Sequence, residues 1–387
     1  MRVHEIVAKV DAIHHDLSYG TVRAWQAANG GAKAVGYLPI YVPRELIHAA
    51  GMMPVGLLGG AGQLEIIRGD AYFQSYICQM PRSTIELALA GRLDFLSGFL
   101  FPSICDVIRN LSGIWKILFP EKYVRYFDVP QNYDPEVGGK YYLEELEILR
   151  HDLGKLSGIE ITDERLRASI AVYNENRKAI CALLALRQEE PWSAPADESY
   201  LVLRAGSVLP VEEHTALVLE YVEAAKEAKR PRRDQTRVVA VGAFCEQPPL
   251  ALIKTLELAG CYVIWDDTQL GQYWFDRDVE TSGDPMAALS TAFLKYSAAT
   301  ASRYEPEIEK GTQLCQLVRH KRAEGVIFAA PSFCDPALLD QPMLQKAMDA
   351  AKVPWTAFKY AENLGQFQVI REQAGTFADS VKLWSEP

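Results

Sequence analysis

One short pattern occurs twice in this chain and constrains its fold more than any other feature. Residues 94–106 read DFLSGFLFPSICD and residues 324–335 read EGVIFAAPSFCD. Each is an apolar run closed by Pro-Ser-x-Cys-Asp: Pro102-Ser103-Ile104-Cys105-Asp106 and Pro331-Ser332-Phe333-Cys334-Asp335. An apolar run of this length ending in Pro-Ser reads as a buried strand entering a loop. Cys105 and Cys334 are therefore expected just beyond the carboxyl ends of equivalent strands.

A second match keeps the same order. Tyr37–Tyr41 lead into Pro43–Gly51 and then the apolar Met52–Leu58; later, Val238–Phe244 lead into a helix ending Leu258-Ala259-Gly260, followed by Cys261–Trp265. Both read strand, loop, helix stopped by Gly, strand, as in a parallel sheet built from βαβ units. The matching Gly lies 209 residues on (Gly51, Gly260) and the matching Cys 229 (Cys105, Cys334). The later half should thus hold about twenty extra residues, placed at the polar stretch Asp276–Asp284. Between the halves, Tyr141–Ser157 and Asp163–Arg187 show helical spacing with Thr162 as an N-cap, and 189–198 is a polar, proline-containing linker. The chain of 387 residues suits two ordinary domains. The expected architecture is α/β, with two similar Rossmann-like parallel-sheet domains and a cleft between them. Residues 1–140 carry Cys78 and Cys105, 141–200 form a helical connecting region and linker, and 201–387 carry Cys334.

A net charge of −10 leaves no surplus of Lys and Arg for phosphate backbones, so a general nucleic-acid binder is excluded. The first twenty residues are charged throughout and lack the apolar core of a secretory signal, and apolar runs are too short for a membrane span. A cytoplasmic, reducing setting is expected. Seven cysteines with no framework spacing then point to metal binding, redox work or burial, not to disulfides.

Ligands of open α/β sheets collect beyond the carboxyl ends of the strands, so facing halves would bring Cys105 and Cys334 together. Two thiolates do not hold a cubane. Cys78 is the best third ligand, because it precedes a helical stretch, Ser83–Leu93, whose N-terminus favours thiolate. The alternative is three small buried hydrophobes, and the repeat alone leaves both open. Cys181, Cys261 and Cys315 read as core or packing positions, while Cys245, at the end of a strand, is a borderline ligand. His48 is read as a core histidine in preference to a ligand, and Arg230–Arg233 as a solvated charge run in preference to a phosphate patch. No CxxC pair, P-loop or GxGxxG after a strand occurs. Met52–Leu58 and Phe99–Pro102 are either buried strands or part of a partner-facing surface.

Gly36–Gly56 (GYLPIYVPRELIHAAGMMPVG) resembles the N-terminal signature of the 2-hydroxyacyl-CoA dehydratase/benzoyl-CoA reductase family, and Phe328–Pro336 (FAAPSFCDP) its C-terminal cysteine segment. Within the family, Tyr126–Asn132 (YFDVPQN) and Gly242–Pro249 look most like the smaller cluster-binding subunit of ATP-dependent ring reductases. The resemblance spans nearly the whole chain. It implies a [4Fe–4S] cluster held by Cys78, Cys105 and Cys334, with one iron lacking a protein ligand. It also implies a homologous larger cluster-binding subunit, two ATP-hydrolysing activator subunits, ferredoxin as donor and benzoyl-CoA as the acyl-CoA substrate. The rival readings are a 2-hydroxyacyl-CoA dehydratase subunit, a cubane or double-cubane reductase of a small molecule, and a two-lobed binding protein without redox chemistry.

Overall fold

The computed structural model describes residues 2–60, 62–74, 76–244, 248–303, 305, 307–361 and 367–384. Among these, eight strands form two four-stranded, all-parallel sheets. The first holds β1 (Ala34–Tyr37), β2 (Met53–Gly56), β3 (Gly98–Pro102) and β4 (Tyr123–Phe127) in the order β2-β1-β3-β4. The second holds β5 (Thr236–Val241), β6 (Cys261–Asp266), β7 (Gly325–Pro331) and β8 (Trp355–Tyr360) in the order β6-β5-β7-β8. The two halves share one topology, as the duplicated motifs require. Even the registers agree at the motif: Pro102 pairs with Phe127, the last residue of β4, and Pro331 with Tyr360, the last of β8.

β1, β3 and β7 are buried at every position, because a parallel sheet covered by crossover helices leaves neither face to water. The helix Asp106–Leu118 buries Ile108, Leu111, Ser112 and Trp115, one stripe at three- and four-residue spacing. Trp115 lies against Phe99 and Phe101 of β3, with ring centroids 4.8 and 5.4 Å apart. Met52, Met53, Val55, Leu57 and Leu58 are core, as is all of Phe99–Pro102. Neither stretch offers a partner-facing surface, since both are strands sealed by helices. Gly51 and Gly260 end their helices in left-handed backbone, with φ +71° and +97°, which explains why both matches carry Gly.

The extra residues of the second half fall between β6 and β7. Met53 to Cys261 is 208 residues, whereas Gly98 to Gly325 is 227. This longer connection includes the helix Pro285–Tyr296, whose first N–H groups are capped by Asp284. Its Phe293 stacks on Tyr142 (4.2 Å) and packs near Tyr133 (5.0 Å), so the insertion reaches toward the first half.

The connecting helices are Lys140–Ser157, Asp163–Glu189, Ala196–Ala205 and Val211–Glu227, and Thr162 caps the second by accepting from the Arg165 N–H. In the polar stretch 189–198, Ser193, Ala194 and Ala196 are buried. The 27-residue helix Asp163–Glu189 is tied to both halves by buried ion pairs. Arg177 pairs with Glu45 near its middle, and Arg187 pairs with Asp266 at the end of β6. Arg44 donates to the Gln272 side chain and so joins the first half directly to the second. The apolar core of the first half continues into Phe244, Leu270, Trp274, Ala330, Cys334 and Ala337 of the second, so the carboxyl ends of the two sheets face one another.

Candidate metal centre

All three predicted ligands stand at helix starts. Cys78 is the N-cap of Gln79–Leu89, Cys105 of Asp106–Leu118 and Cys334 of Asp335–Ala350. The first of these helices begins four residues before the predicted Ser83, because Pro81 is tolerated in a first turn. At Cys105 and Cys334 the cysteine carbonyl takes the first helical hydrogen bond, from the Arg109 N–H (3.2 Å) and the Leu338 N–H (3.0 Å). Such a position aims unpaired N–H groups at the thiol and favours negative charge there.

The repeated motif assigns a mechanical role to each residue. The proline closes the strand, and the serine N–H extends the ladder by one rung: Ser103 N–H to Phe127 O at 3.0 Å, Ser332 N–H to Tyr360 O at 2.8 Å. The aspartate, Asp106 or Asp335, lies in the first helical turn, where the helix dipole favours it. Burial pushes the Cys105 thiol up to about 11; the N–H groups of Ile108 and Val107 pull against that rise, while nearby Cys334 adds to it. The two motif cysteines thus feel one another across the cleft. Cys334 is 2 % exposed, whereas Cys105 and Cys78 are half-buried.

The residues can be tested against an iron–sulfur group. The described cysteines are thiols without disulfides, a soft donor set suited to iron–sulfur chemistry. Cys105 and Cys334 stand at equivalent helix starts, and the Val107 and Ile108 N–H groups favour the charged form of the Cys105 thiol. Among the described residues, however, no three of the His, Cys, Asp and Glu side chains form one metal-holding group. Cys78 is presented at a helix start in the same manner as the motif pair but is not gathered with both.

The remaining cysteines separate. Cys261 is buried at the start of β6, and Cys315 is partly buried with its sulfur 3.7 Å from the Ala347 carbonyl oxygen. Cys181 is exposed, against the expectation of a core position. The buried stripe of its helix runs through Arg177, Ile180, Leu183 and Arg187, and Cys181 falls off it. Cys245 lies outside the described residues. His48 Nδ1 is 2.8 Å from Ser169 Oγ and its Nε2 is 3.5 Å from Glu212, so it is a structural histidine. Arg230 is half-buried and pairs with Glu198, against the expected solvated run, whereas Arg232 and Arg233 are exposed, with Arg232 over Trp192.

Two features were not read from the sequence. A cavity of about 460 Å³ opens beside Cys105, walled by Ile104, Tyr126, Val129 and Pro130 and carrying Arg109, Asp128 and Tyr141. Tyr141 donates to Asp128 at 3.0 Å, and burial and that carboxylate push its phenol upward. The second feature is the loop after β1, where Ile40 and Tyr41 hold φ of +71° and +66°. Left-handed backbone is unfavourable for a β-branched residue, so the surroundings must impose it. They do: Tyr41 hydrogen-bonds Thr300 and, at 2.7 Å, Ser302, and Gly271 lets the short helix Leu270–Tyr273 approach the Ile40 N–H. Consecutive apolar and proline residues in LPIYVP carry no turn signal that would announce this conformation.

Comparison with known proteins follows the same line. The family model described as 2-hydroxyglutaryl-CoA dehydratase, D-component, matches residues 39–381. The chain is 57% identical over 386 residues to a subunit of the benzoyl-CoA reductase of Thauera aromatica, covering 100% of each. It is 31% identical over 359 residues to the beta subunit of (R)-2-hydroxyglutaryl-CoA dehydratase of Acidaminococcus fermentans, covering 91% of this chain and 93% of that protein. It is 27% identical over 351 residues to the (R)-phenyllactyl-CoA dehydratase beta subunit of Clostridium sporogenes, covering 91% and 92%.

Proposed function

The chain belongs to the 2-hydroxyglutaryl-CoA dehydratase D-component family, and we propose that it is the iron–sulfur subunit of a benzoyl-CoA reductase, an oxidoreductase. The observation that carries this reading is the full-length similarity to a benzoyl-CoA reductase subunit, well above the similarity to dehydratase subunits. In this reading residues 1–140 and 201–387 are the two halves around the site, joined by 141–200. The partners are a homologous larger cluster-binding subunit, two ATP-hydrolysing activators and ferredoxin, working in the cytoplasm. Among the described residues no helix is long and apolar enough to cross a membrane.

Cys78, Cys105 and Cys334 are the residues proposed to hold a [4Fe–4S] cluster. Such a cluster supplies single electrons at potentials reaching roughly −700 mV, the low end that breaking aromaticity demands. The chain's own residues set the surroundings. The Val107 and Ile108 N–H groups stabilise charge on the Cys105 sulfur, while Asp106 and the buried wall oppose extra negative charge. The strained loop after β1 and the Arg44–Gln272 contact hold the two halves in one arrangement, and the buried face at Cys334 excludes water.

Anaerobic co-purification tests the proposal. The preparation should be brown and contain iron, and with benzoyl-CoA, ATP and a strong reductant it should form a cyclic diene with stoichiometric ATP use. Dehydration of a 2-hydroxyacyl-CoA without ring reduction would assign the chain to the dehydratase branch. A colourless, iron-free preparation would remove the cluster altogether.

A further inference from the structure

The serine of the repeated Pro-Ser-x-Cys-Asp motif does more than end a strand. Ser103 is buried, and its hydroxyl bridges the neighbouring chain beyond β4: it accepts from the Val129 N–H at 2.7 Å and donates to the Val129 carbonyl at 3.1 Å. Together with its own N–H on Phe127 O, Ser103 thus spans Phe127 to Val129 and continues the sheet where backbone pairing has stopped. Ser332 repeats the device in simpler form. Its N–H and its hydroxyl both donate to Tyr360 O, at 2.8 and 2.9 Å. In each half the chain then turns sharply, with the Ile104 N–H on Pro102 O and the Cys334 N–H on Pro331 O, and the cysteine opens the helix.

We propose that Ser103 and Ser332 are positioning residues for the metal centre. Each clasps the strand end to its neighbour and so fixes the backbone from which Cys105 or Cys334 presents its sulfur. This rests on the reading of those cysteines as cluster ligands. The geometry sets the site against the alternatives a serine has in a loop. A hydroxyl serving only local turn structure bonds within its own segment, whereas Ser103 reaches 26 residues along the chain and Ser332 reaches 28. The clasp is also asymmetric. Losing the Ser103 hydroxyl leaves both a buried N–H and a buried carbonyl of Val129 without that partner, whereas Tyr360 O keeps the Ser332 N–H. Ser103 is therefore the more consequential of the two.

The test uses the anaerobically purified complex and three measurements: iron content, the rate at which a chelator extracts iron, and the electron paramagnetic resonance spectrum of the reduced protein. Partners that orient ligands are worth on the order of tenfold to a hundredfold in metal retention. Ser103→Ala should therefore release iron on the order of tenfold faster and shift the spectrum, and Ser332→Ala should do the same more weakly. Ser103→Thr keeps the hydroxyl and should restore both readouts. Ser112→Ala is the matched control, because that buried hydroxyl donates only to Arg109 O in the helix following Cys105. Unchanged extraction and spectrum in Ser103→Ala, or equal effects in Ser112→Ala, would overturn the assignment. An iron-free parent protein would instead remove the cluster reading on which it rests.

Discussion

Replacing Arg187 by Ala should unseat the long connecting helix from the second sheet. Arg187 is 1 % exposed; its Nε donates to Val263 O at 2.8 Å, and its guanidinium pairs with the Asp266 carboxylate. Removing one partner of a buried pair costs about 3–5 kcal/mol, because the other charge stays behind without compensation. The lost bond to Val263 O adds about 1 kcal/mol. Against this, Asp266 Oδ1 retains the Thr268 N–H and hydroxyl, which holds the total near the low end, about 3–4 kcal/mol. With a urea slope of about 3 kcal/mol/M for a chain of this size, the unfolding midpoint should fall by about 1 M. Asp266→Asn alone should also destabilise, and the double variant Arg187→Ala/Asp266→Asn should recover at least about 2 kcal/mol relative to the sum of the singles. Intrinsic fluorescence in urea gives all four midpoints. A fall below about 0.2 M for Arg187→Ala, or additivity in the cycle, would refute the claim that this pair anchors the helix.

Cys78→Ala, Cys105→Ala and Cys334→Ala should each lower bound iron sharply, while Cys181→Ala, Cys261→Ala and Cys315→Ala keep it; full iron in any of the first three shows the triad is wrong. Cys181 is exposed and should react with a maleimide in the native protein without iron loss, whereas Cys261, whose burial pushes its thiol up to about 12, should resist; mass spectrometry of the labelled peptides decides. Burial pushes the Glu257 carboxyl up to about 8 although it accepts the Ala196 N–H at 3.0 Å. The folded state then holds this proton more tightly than the unfolded one, so its contribution is full below about 4.5 and is lost as pH rises through about 8. The urea midpoint of the parent should therefore drop between pH 5 and pH 9, by less than the ~5 kcal/mol that a fully retained shift implies, and Glu257→Gln should flatten that drop.

The duplication was legible because its parts are set by local rules. An apolar run before Pro-Ser can only be a strand end, and a Gly after a short helix stops it, so strand pairs, connection lengths and the positions of Cys105 and Cys334 followed. What escaped depends on contacts between segments distant in sequence. The Ser103 clasp was visible as a letter in the repeat, but its partner, Val129, lies 26 residues away and carries no mark of the role. Cys181 was misread because the buried stripe of its helix includes Arg177 and Arg187, so an apolar neighbourhood in sequence does not mark which positions turn inward. The left-handed Ile40-Tyr41 pair is imposed from outside by Thr300, Ser302 and Gly271, and no propensity of Ile or Tyr points to it.

The same duplication also bears on why the proposed ligand set is uneven. Each half supplies one cysteine from the same place, the helix start after its third strand. Cys78 has no counterpart. Between β6 and β7, the position before each helix is held by Gln269, Asp284 or Gly311, none of them a sulfur ligand. A strictly symmetric pair of halves would offer two or four thiols; the proposed ligand set has three. Access is uneven in the same direction, because Cys334 is sealed in the core while the cavity of about 460 Å³ opens beside Cys105. The half that holds two of the three proposed ligands is thus also the half where the cavity opens. Filling that cavity is then the perturbation that separates access from ligation. Gln131→Trp, at an exposed position on the cavity lining, should leave iron content and spectrum unchanged while slowing turnover of the assembled enzyme. Iron loss in this variant would mean that the cavity wall supports the ligands instead of admitting a partner or substrate, and unchanged turnover would mean that traffic reaches the centre by another side.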